Sequence, residues 1–256
     1  ARTYIDVDPV HEPIPVRPTA HYTMGGIQTD GRTATALPGL FAAGECASVG
    51  LHGANRLGSN SLAELSVFGR VAGEEAAAAA RAGSTPPEGK LLAQARENAA
   101  RWDALRAAGG TEKLADLRNA MAEAMEAGVG IQRMPAAMEQ TAATLSDLRE
   151  RYGRLRLEDD SLAFNTEWLS AIELGFLLEV AEAMTAAALA RQESRGSHQR
   201  PEDFPARDDT RFLKHSLTHY RGAGAPAVAW QDVNITRSQP GERLYGGAAR
   251  AKEAKQ

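Results

Sequence analysis

Apolar residues recur at spacings of three and four through most of the second half of the chain. Leu114, Leu117, Met121 and Met125 form one such stripe, and similar stripes predict helices over residues 91–108, 111–127, 136–152 and 166–191. Stripes of this kind bury against one another, so a helical bundle is expected. The methionines at helical spacing read as core. An earlier helix is predicted over residues 62–82, with Leu62, Leu65, Phe68, Gly69 and Ala72 on a face turned toward a sheet.

The first 60 residues have a different pattern. Pro9, Pro13, Pro15 and Pro18 argue against helix and for extended chain over residues 1–20. Residues 21–29 read as a strand broken at Gly25-Gly26, with a turn at Asp30-Gly31. The apolar run 40–43 predicts a second strand, in a sheet covered on both faces. A Gly, Ser, Thr and Pro cluster over residues 83–89 marks a domain boundary. After Gly196 the helical signal stops, and Val233-Asn234-Ile235-Thr236-Arg237 alternates like a strand. Residues 200–256 are expected to form a small subdomain with a mobile tail rich in Lys and Ala.

Composition removes several function classes. The chain has 256 residues, 43% of them hydrophobic, which permits a buried core. A net charge of −4 and no long Lys/Arg block give no electrostatic footprint for nucleic acid. Cys46 is the only cysteine, which excludes an internal disulfide or a cysteine-built metal site, suits a reducing cytosol and reads as a buried structural thiol. No apolar run approaches the ~20 residues needed to cross a bilayer. The N-terminus carries no signal-peptide pattern, so at a membrane another component would be the anchor.

Candidate chemistry concentrates between Gly44 and Gly69, where glycines, small hydroxyl residues, Asn55, Asn60 and Arg56 separate the apolar run from the Ala-rich helix. A helix starting near Asn60 or Ser61 directs unpaired N–H groups and its positive dipole end at an anion. Asn60 or Ser61 is the expected N-cap, with Glu64 completing a capping box with Ser61. Arg56 adds a planar fork of donors suited to a carboxylate or phosphate. His215 and His219 stand four apart, but no third ligand accompanies them, so a structural role is read. The charge runs Arg149-Glu150-Arg151 and Glu158-Asp159-Asp160 read as solvated surface.

The strings His21-Tyr22-Thr23-Met24-Gly25-Gly26-Ile27, Gly44-Glu45-Cys46 and His52-Gly53-Ala54-Asn55-Arg56-Leu57-Gly58-Ser59-Asn60-Ser61-Leu62 resemble the flavoprotein subunit of the fumarate reductase and succinate dehydrogenase family. The likeness continues at Phe164-Asn165-Thr166, Glu193-Ser194-Arg195-Gly196-Ser197-His198, Arg207-Asp208-Asp209 and Tyr245-Gly246-Gly247. The resemblance implies an α/β FAD-binding domain portion followed by an α-helical bundle and a small C-terminal α+β subdomain. It implies the layout 1–18 as the end of a capping domain and return linker, 19–83 as the C-terminal part of the FAD-binding domain, 90–196 as bundle, and 197–256 as subdomain and tail.

The family's Gly-x-Gly-x-x-Gly turn for the FAD diphosphate, its flavin-linking His and its proton-delivering Arg have no counterpart in these 256 residues, so the nucleotide-binding half is read as absent. By resemblance, His21 and Arg56 would each hold a carboxylate of a dicarboxylate such as fumarate or succinate. Glu45 would accept hydrogen bonds from the FAD ribose. Tyr22, Leu57, Gly58, Ser59, Asn60, Ser61 and Leu62 would shape the flavin pocket, and His52 would support Arg56. His198 resembles a family landmark to which no chemistry attaches.

The implied activity is interconversion of fumarate and succinate by hydride transfer with FAD. An iron-sulfur subunit would exchange the electrons, and membrane anchor subunits would hold the complex at the cytoplasmic face of the inner membrane. Within the family, Leu57-Gly58-Ser59-Asn60-Ser61-Leu62-Ala63-Glu64-Leu65 and Phe212-Leu213-Lys214-His215 lean toward fumarate reductase. Succinate dehydrogenase, L-aspartate oxidase and an inactive partner-binding helical module are the alternatives. The 256 residues alone are expected not to turn over substrate.

Overall fold

The structure is a computed structural model that describes residues 1–83, 87–222 and 224–237. The predicted helices form close to their expected bounds: α2 Asn60–Ala82, α3 Glu88–Arg106, α4 Leu114–Val129, α5 Pro135–Tyr152 and α6 Thr166–Ala190. Short elements fill the gaps: α1 Arg2–Ile5, β1 Ile27–Gln28, β2 Ala47–Ser48, β3 Glu112–Lys113, β4 Leu155–Arg156, α7 Asp209–Phe212, β5 Lys214–His219 and β6 Ala227–Asp232.

Helices α4, α5 and α6 pack on one another and α3 lies against α6. Their stripes meet in a core of Leu117, Leu145, Leu148, Leu155, Ala171, Leu174, Leu178 and Ala181, with Met121 and Met125 packed at its edge. Burying these side chains is the main drive for the bundle, at about 1.5–3 kcal/mol for each large one. Thr141 in α5 donates to the Ala124 carbonyl of α4 at 2.9 Å, satisfying a hydroxyl that would otherwise be costly in this core. Asn165 caps α6 by accepting from the Trp168 N–H at 2.7 Å.

Among the described residues, three two-stranded pairs stand in place of the expected larger sheet. β1 pairs with β2 and β3 with β4 in parallel, and β5 with β6 antiparallel, Lys214 opposite Asp232. Residues 40–43 do not form a strand. Phe41 makes a single bridge to Ala34 and Leu40 is exposed, because Gly39 and Gly44 at positive φ bend the chain on both sides. The strand read over residues 21–29 shrinks to Ile27–Gln28.

Several other expectations are corrected. Residues 2–5 form a helical turn, since the first proline comes only at Pro9. The face of α2 read as turned toward a sheet is open at two positions: Leu62 and Leu65 are exposed, and Glu64 is the helix's one buried residue among those described. Cys46 is exposed, its thiol 3.4 Å from the Ala43 carbonyl. The C-terminal strand ends at Asp232, before residues 233–237. His215 and His219 lie on β5. Arg149 and Arg151 are half-buried ion-pair partners, of Glu182 at 2.6 Å and Glu112 at 2.9 Å. Residues 84–86 of the predicted boundary, the Tyr245-Gly246-Gly247 string and the Lys/Ala tail lie outside the described residues.

Candidate functional site

Parallel pairing of β1 with β2 is what assembles the site. The Ile27 N–H donates to the Cys46 carbonyl at 2.8 Å and the Thr29 N–H to that of Ser48 at 3.0 Å. A Cβ on Gly26 would lie 2.4 Å from the Cys46 carbonyl oxygen, at a φ of 128°, so only glycine lets the two backbones meet here. Just before this crossing, Glu45 accepts a hydrogen bond from the Thr23 N–H at 2.9 Å. The two chemistry-bearing strings are thereby fixed side by side.

Tyr22 is the centre of the resulting cluster. The Arg56 guanidinium stands over its ring, 4.7 Å from the centroid, and His52 meets it edge-on, centroids 5.5 Å apart at 89°. Burial, then the negative charges of Glu64 and Glu45, push the Tyr22 hydroxyl above its usual range, with Arg56 opposing them. The cation–π contact holds the guanidinium in place without using its donors. One of those donors reaches the Leu57 carbonyl at 3.3 Å.

Several polar atoms in the cluster lack partners. His52 Nε2, Arg56 Nε and Glu64 Oε2 are buried without a hydrogen bond, and Glu64 is only 4% exposed. Native proteins rarely tolerate such atoms, since each costs on the order of 1–3 kcal/mol. Three fall within one loop and helix turn, while the other two among the described residues, on Thr29 and Arg106, lie outside it.

The start of α2 adds to this. Ser59, not Asn60 or Ser61, is the N-cap, with a φ of 65°, and no side chain caps the helix. The capping box is therefore absent, and Glu64 points into the interior near Tyr22 instead of back to Ser61. With its opening turn uncapped, α2 directs its dipole past Leu57, Gly58 and Ser59 toward the same cluster.

Of the expected site residues, Tyr22, Arg56 and His52 are in mutual contact through Tyr22, and Glu45 ties Thr23 beside them. Leu57 to Leu62 form the turn into α2. His21 is exposed on the segment before Tyr22. No group of three His, Cys, Asp or Glu side chains that could hold a metal occurs among the described residues. Sequence reasoning missed two things. Glu64 has the spacing from Ser61 that a capping box requires, and that pattern does not distinguish a cap from an inward-facing carboxylate. The contact of the Arg195-Gly196-Ser197-His198 string with Ala54 spans some 140 residues, and no local pattern signals it.

Comparison with known proteins matches this geometry to a family. Residues 118–245 match the family model described as fumarate reductase flavoprotein C-term, and residues 1–62 match that of a FAD binding domain. The chain belongs to the fumarate reductase and succinate dehydrogenase flavoprotein family. It is 54% identical to the fumarate reductase flavoprotein subunit of Proteus vulgaris over 99% of this chain and 42% of that protein. It is 38% identical to the succinate dehydrogenase flavoprotein subunit of Rickettsia bellii, over 96% of this chain and 44% of the relative. A solved Escherichia coli quinol fumarate reductase chain superposes with a TM-score of 0.92 at 52% identity, covering 96% of this chain and 42% of that one.

The chain thus spans less than half the length of the relatives it matches. FAD is the cofactor of this family. The residues present fit it: an uncapped helix start, a glycine-lined backbone crossing and orphaned buried donors and acceptors are what a large polar cofactor and its substrate would occupy. No described helix is long and apolar enough to cross a membrane.

Proposed function

We propose that this chain supplies the substrate-binding and flavin-ring portion of a fumarate reductase flavoprotein, which reduces fumarate to succinate. The observation that carries the reading is the group of unpartnered buried atoms on His52, Arg56 and Glu64 around Tyr22, within a chain about half identical to such subunits. FAD when bound supplies the electron pair as hydride.

The chain's own residues bind and orient. Arg56, fixed over Tyr22, grips one carboxylate of the dicarboxylate with two parallel hydrogen bonds, and His21 donates to the other. Holding both ends would fix the two central carbons in place, and this positioning is the chain's largest contribution to rate. Glu45 accepts from the ribose with the carboxylate capacity that Thr23 leaves free. The backbone from Leu57 through Ser59, Asn60, Ser61 and Leu62 lines the ring, and the α2 dipole favours negative charge there.

The greater identity to fumarate reductase relatives than to succinate dehydrogenase ones supports the first direction. In this reading residues 19–83 complete the FAD-binding domain, 90–196 form the helical domain and the described residues after 196 a terminal subdomain. An iron-sulfur subunit passes electrons to the flavin, anchor subunits hold the assembly at the cytoplasmic face of the membrane, and the isolated 256 residues are inactive.

The decisive test is steady-state turnover of the full-length flavoprotein that contains this chain, with fumarate, succinate and L-aspartate as substrates. Fumarate reduction that exceeds succinate oxidation supports the reading. Preference for L-aspartate, or no flavin-dependent turnover of any of the three, overturns it.

A further inference from the structure

The loop that carries Arg56 is gripped from the far end of the chain. Both the N–H and the hydroxyl of Ser197 donate to the Ala54 carbonyl, at 3.0 and 2.7 Å, two residues before Arg56. Gly196 precedes it with a φ of 57°, and a Cβ there would fall 2.7 Å from the Ala54 carbonyl oxygen and 3.0 Å from the Ala54 Cβ. This contact is closed to any larger residue. On the same side of the loop, Gly50 packs against the His215 ring, to which its Cβ would approach within 3.1 Å.

The gripping turn is itself rigid. Reciprocal backbone bonds join Arg195 and His198, at 2.8 and 3.0 Å, and the Gln199 side chain donates to the Gly196 carbonyl at 2.8 Å. Beneath it, the buried His198 ring lies with Nδ1 2.8 Å from the Arg133 guanidinium and Nε2 3.0 Å from the Arg191 carbonyl. Arg133 can only donate and the carbonyl can only accept, so the ring is neutral and carries its proton on Nε2. Arg133 belongs to the link between α4 and α5, and its own N–H donates to the Gln199 carbonyl at 2.8 Å. On the other flank Arg195 forks onto Glu193, at 2.8 and 2.9 Å, and reaches Asp209 at 2.6 Å.

We propose that the turn from Arg195 to His198 positions Arg56 for the substrate, with Gly196 and Ser197 pressing on the Ala54 carbonyl and His198 locking the turn to the helical bundle through Arg133. The inference rests on the reading of Arg56 as the carboxylate ligand. Physically, a glycine-rich loop samples many conformations, and a bidentate pair tolerates little displacement. A fixed support on the carbonyl two residues upstream removes that freedom before substrate arrives. Gly196, Ser197 and His198 are positioning residues and touch no substrate.

The test uses the full-length flavoprotein with Gly196→Ala, Ser197→Ala and, alongside, Arg56→Lys. Two quantities are measured: amide hydrogen exchange over residues 50–58, and the dissociation constant of malonate, a non-reacting dicarboxylate, from the change in flavin absorbance. Gly196→Ala is expected to speed exchange and weaken malonate each about tenfold, and to raise KM for fumarate more than it lowers kcat. Ser197→Ala, which keeps the amide donor, should give about a threefold effect on each, corresponding to one lost hydrogen bond. If Gly196→Ala fails to fold, Ser197→Ala alone carries the test.

Unchanged exchange in the folded variants overturns the proposal. Faster exchange with unaltered malonate binding also overturns it, provided Arg56→Lys weakens malonate, because the turn would then be a structural contact only. If Arg56→Lys leaves malonate binding unaltered, the assignment of Arg56 has failed, and faster exchange still upholds the grip on the loop.

Discussion

The bundle of α4, α5 and α6 and the loop between β2 and α2 bury their atoms in opposite ways. In the bundle Leu117, Leu145, Leu148 and Leu174 are wholly buried, and the buried Thr141 hydroxyl has its one proton shared between the Ala124 and Ala137 carbonyls, each at 2.9 Å. In the loop region the buried atoms are polar and unpartnered, on His52, Arg56 and Glu64, while Leu57 and Leu62 are exposed. One region has closed its own bonding. The other holds bonding capacity open, and a ligand is the physical reason a fold would do so.

The sharpest way to break that contrast is to change the open region without touching the closed one. Arg56→Lys should lower kcat/KM for fumarate in the full-length protein by about a hundredfold or more, since a point charge cannot replace the planar fork. Its thermal midpoint should stay where it was. A variant with unaltered kcat/KM would remove Arg56 from the site.

The converse change is Leu174→Ala. It leaves a cavity between α6 and its neighbours and should cost about 2–5 kcal/mol in denaturant unfolding. The contacts of Arg56 and His52 with Tyr22 should be unaffected at temperatures where the protein remains folded. A loss below 1 kcal/mol would mean the bundle collapses around the gap, contrary to its tight packing.

Between the two regions lies Glu193, whose side chain is fully buried. Burial works to raise its pKa, but Arg195, the Asp208 N–H and Arg191 hold it below the usual carboxylate range. Glu193→Gln keeps the shape but removes the charge that Arg191 pairs with and leaves Arg195 with Asp209 alone, so a loss of about 3 kcal/mol is expected. Tm measured by scanning calorimetry would check it. Because the folded pKa is depressed, the carboxylate's stabilisation is complete at neutral pH and disappears as pH falls through its folded value.

His198 adds a second acid-sensitive group. Burial, with the Arg133, Arg191 and Arg200 charges against it, lowers its pKa from 6.5 to about 4, even though the bond to the Arg191 carbonyl favours the proton. The unfolded chain takes up that proton first, so stability is full above about 6.5 and declines as pH falls toward about 4. His198→Gln should flatten the slope of unfolding free energy in that window. An unaltered slope would place the titration elsewhere.

The smallest effect is expected at Cys46. Its thiol is exposed beside the backbone crossing, and Cys46→Ser should leave Tm within measurement scatter.

Legibility in the sequence followed the range of the interactions. Helices α3 to α6 were readable because their stripes repeat every turn, so each local segment carries the same message. Arg56 and the turn into α2 were readable because glycines, hydroxyls and one cation stand together in the chain. The strand over 40–43 was misread, since an apolar run of four does not reveal that the glycines on either side bend it away from pairing. Cys46 was misread too, because burial depends on what lies opposite.

The sequence by itself determined the helical half, the family and the strings in which the chemistry lies, all of which rest on neighbours within a few turns of chain. Only the tertiary structure decided that Glu64 faces inward as an unpartnered carboxylate, that Arg56 stacks on Tyr22, and that Ser197 holds Ala54. Those outcomes depend on contacts between residues far apart in the chain. Nothing in the local order of residues encodes the distance between them.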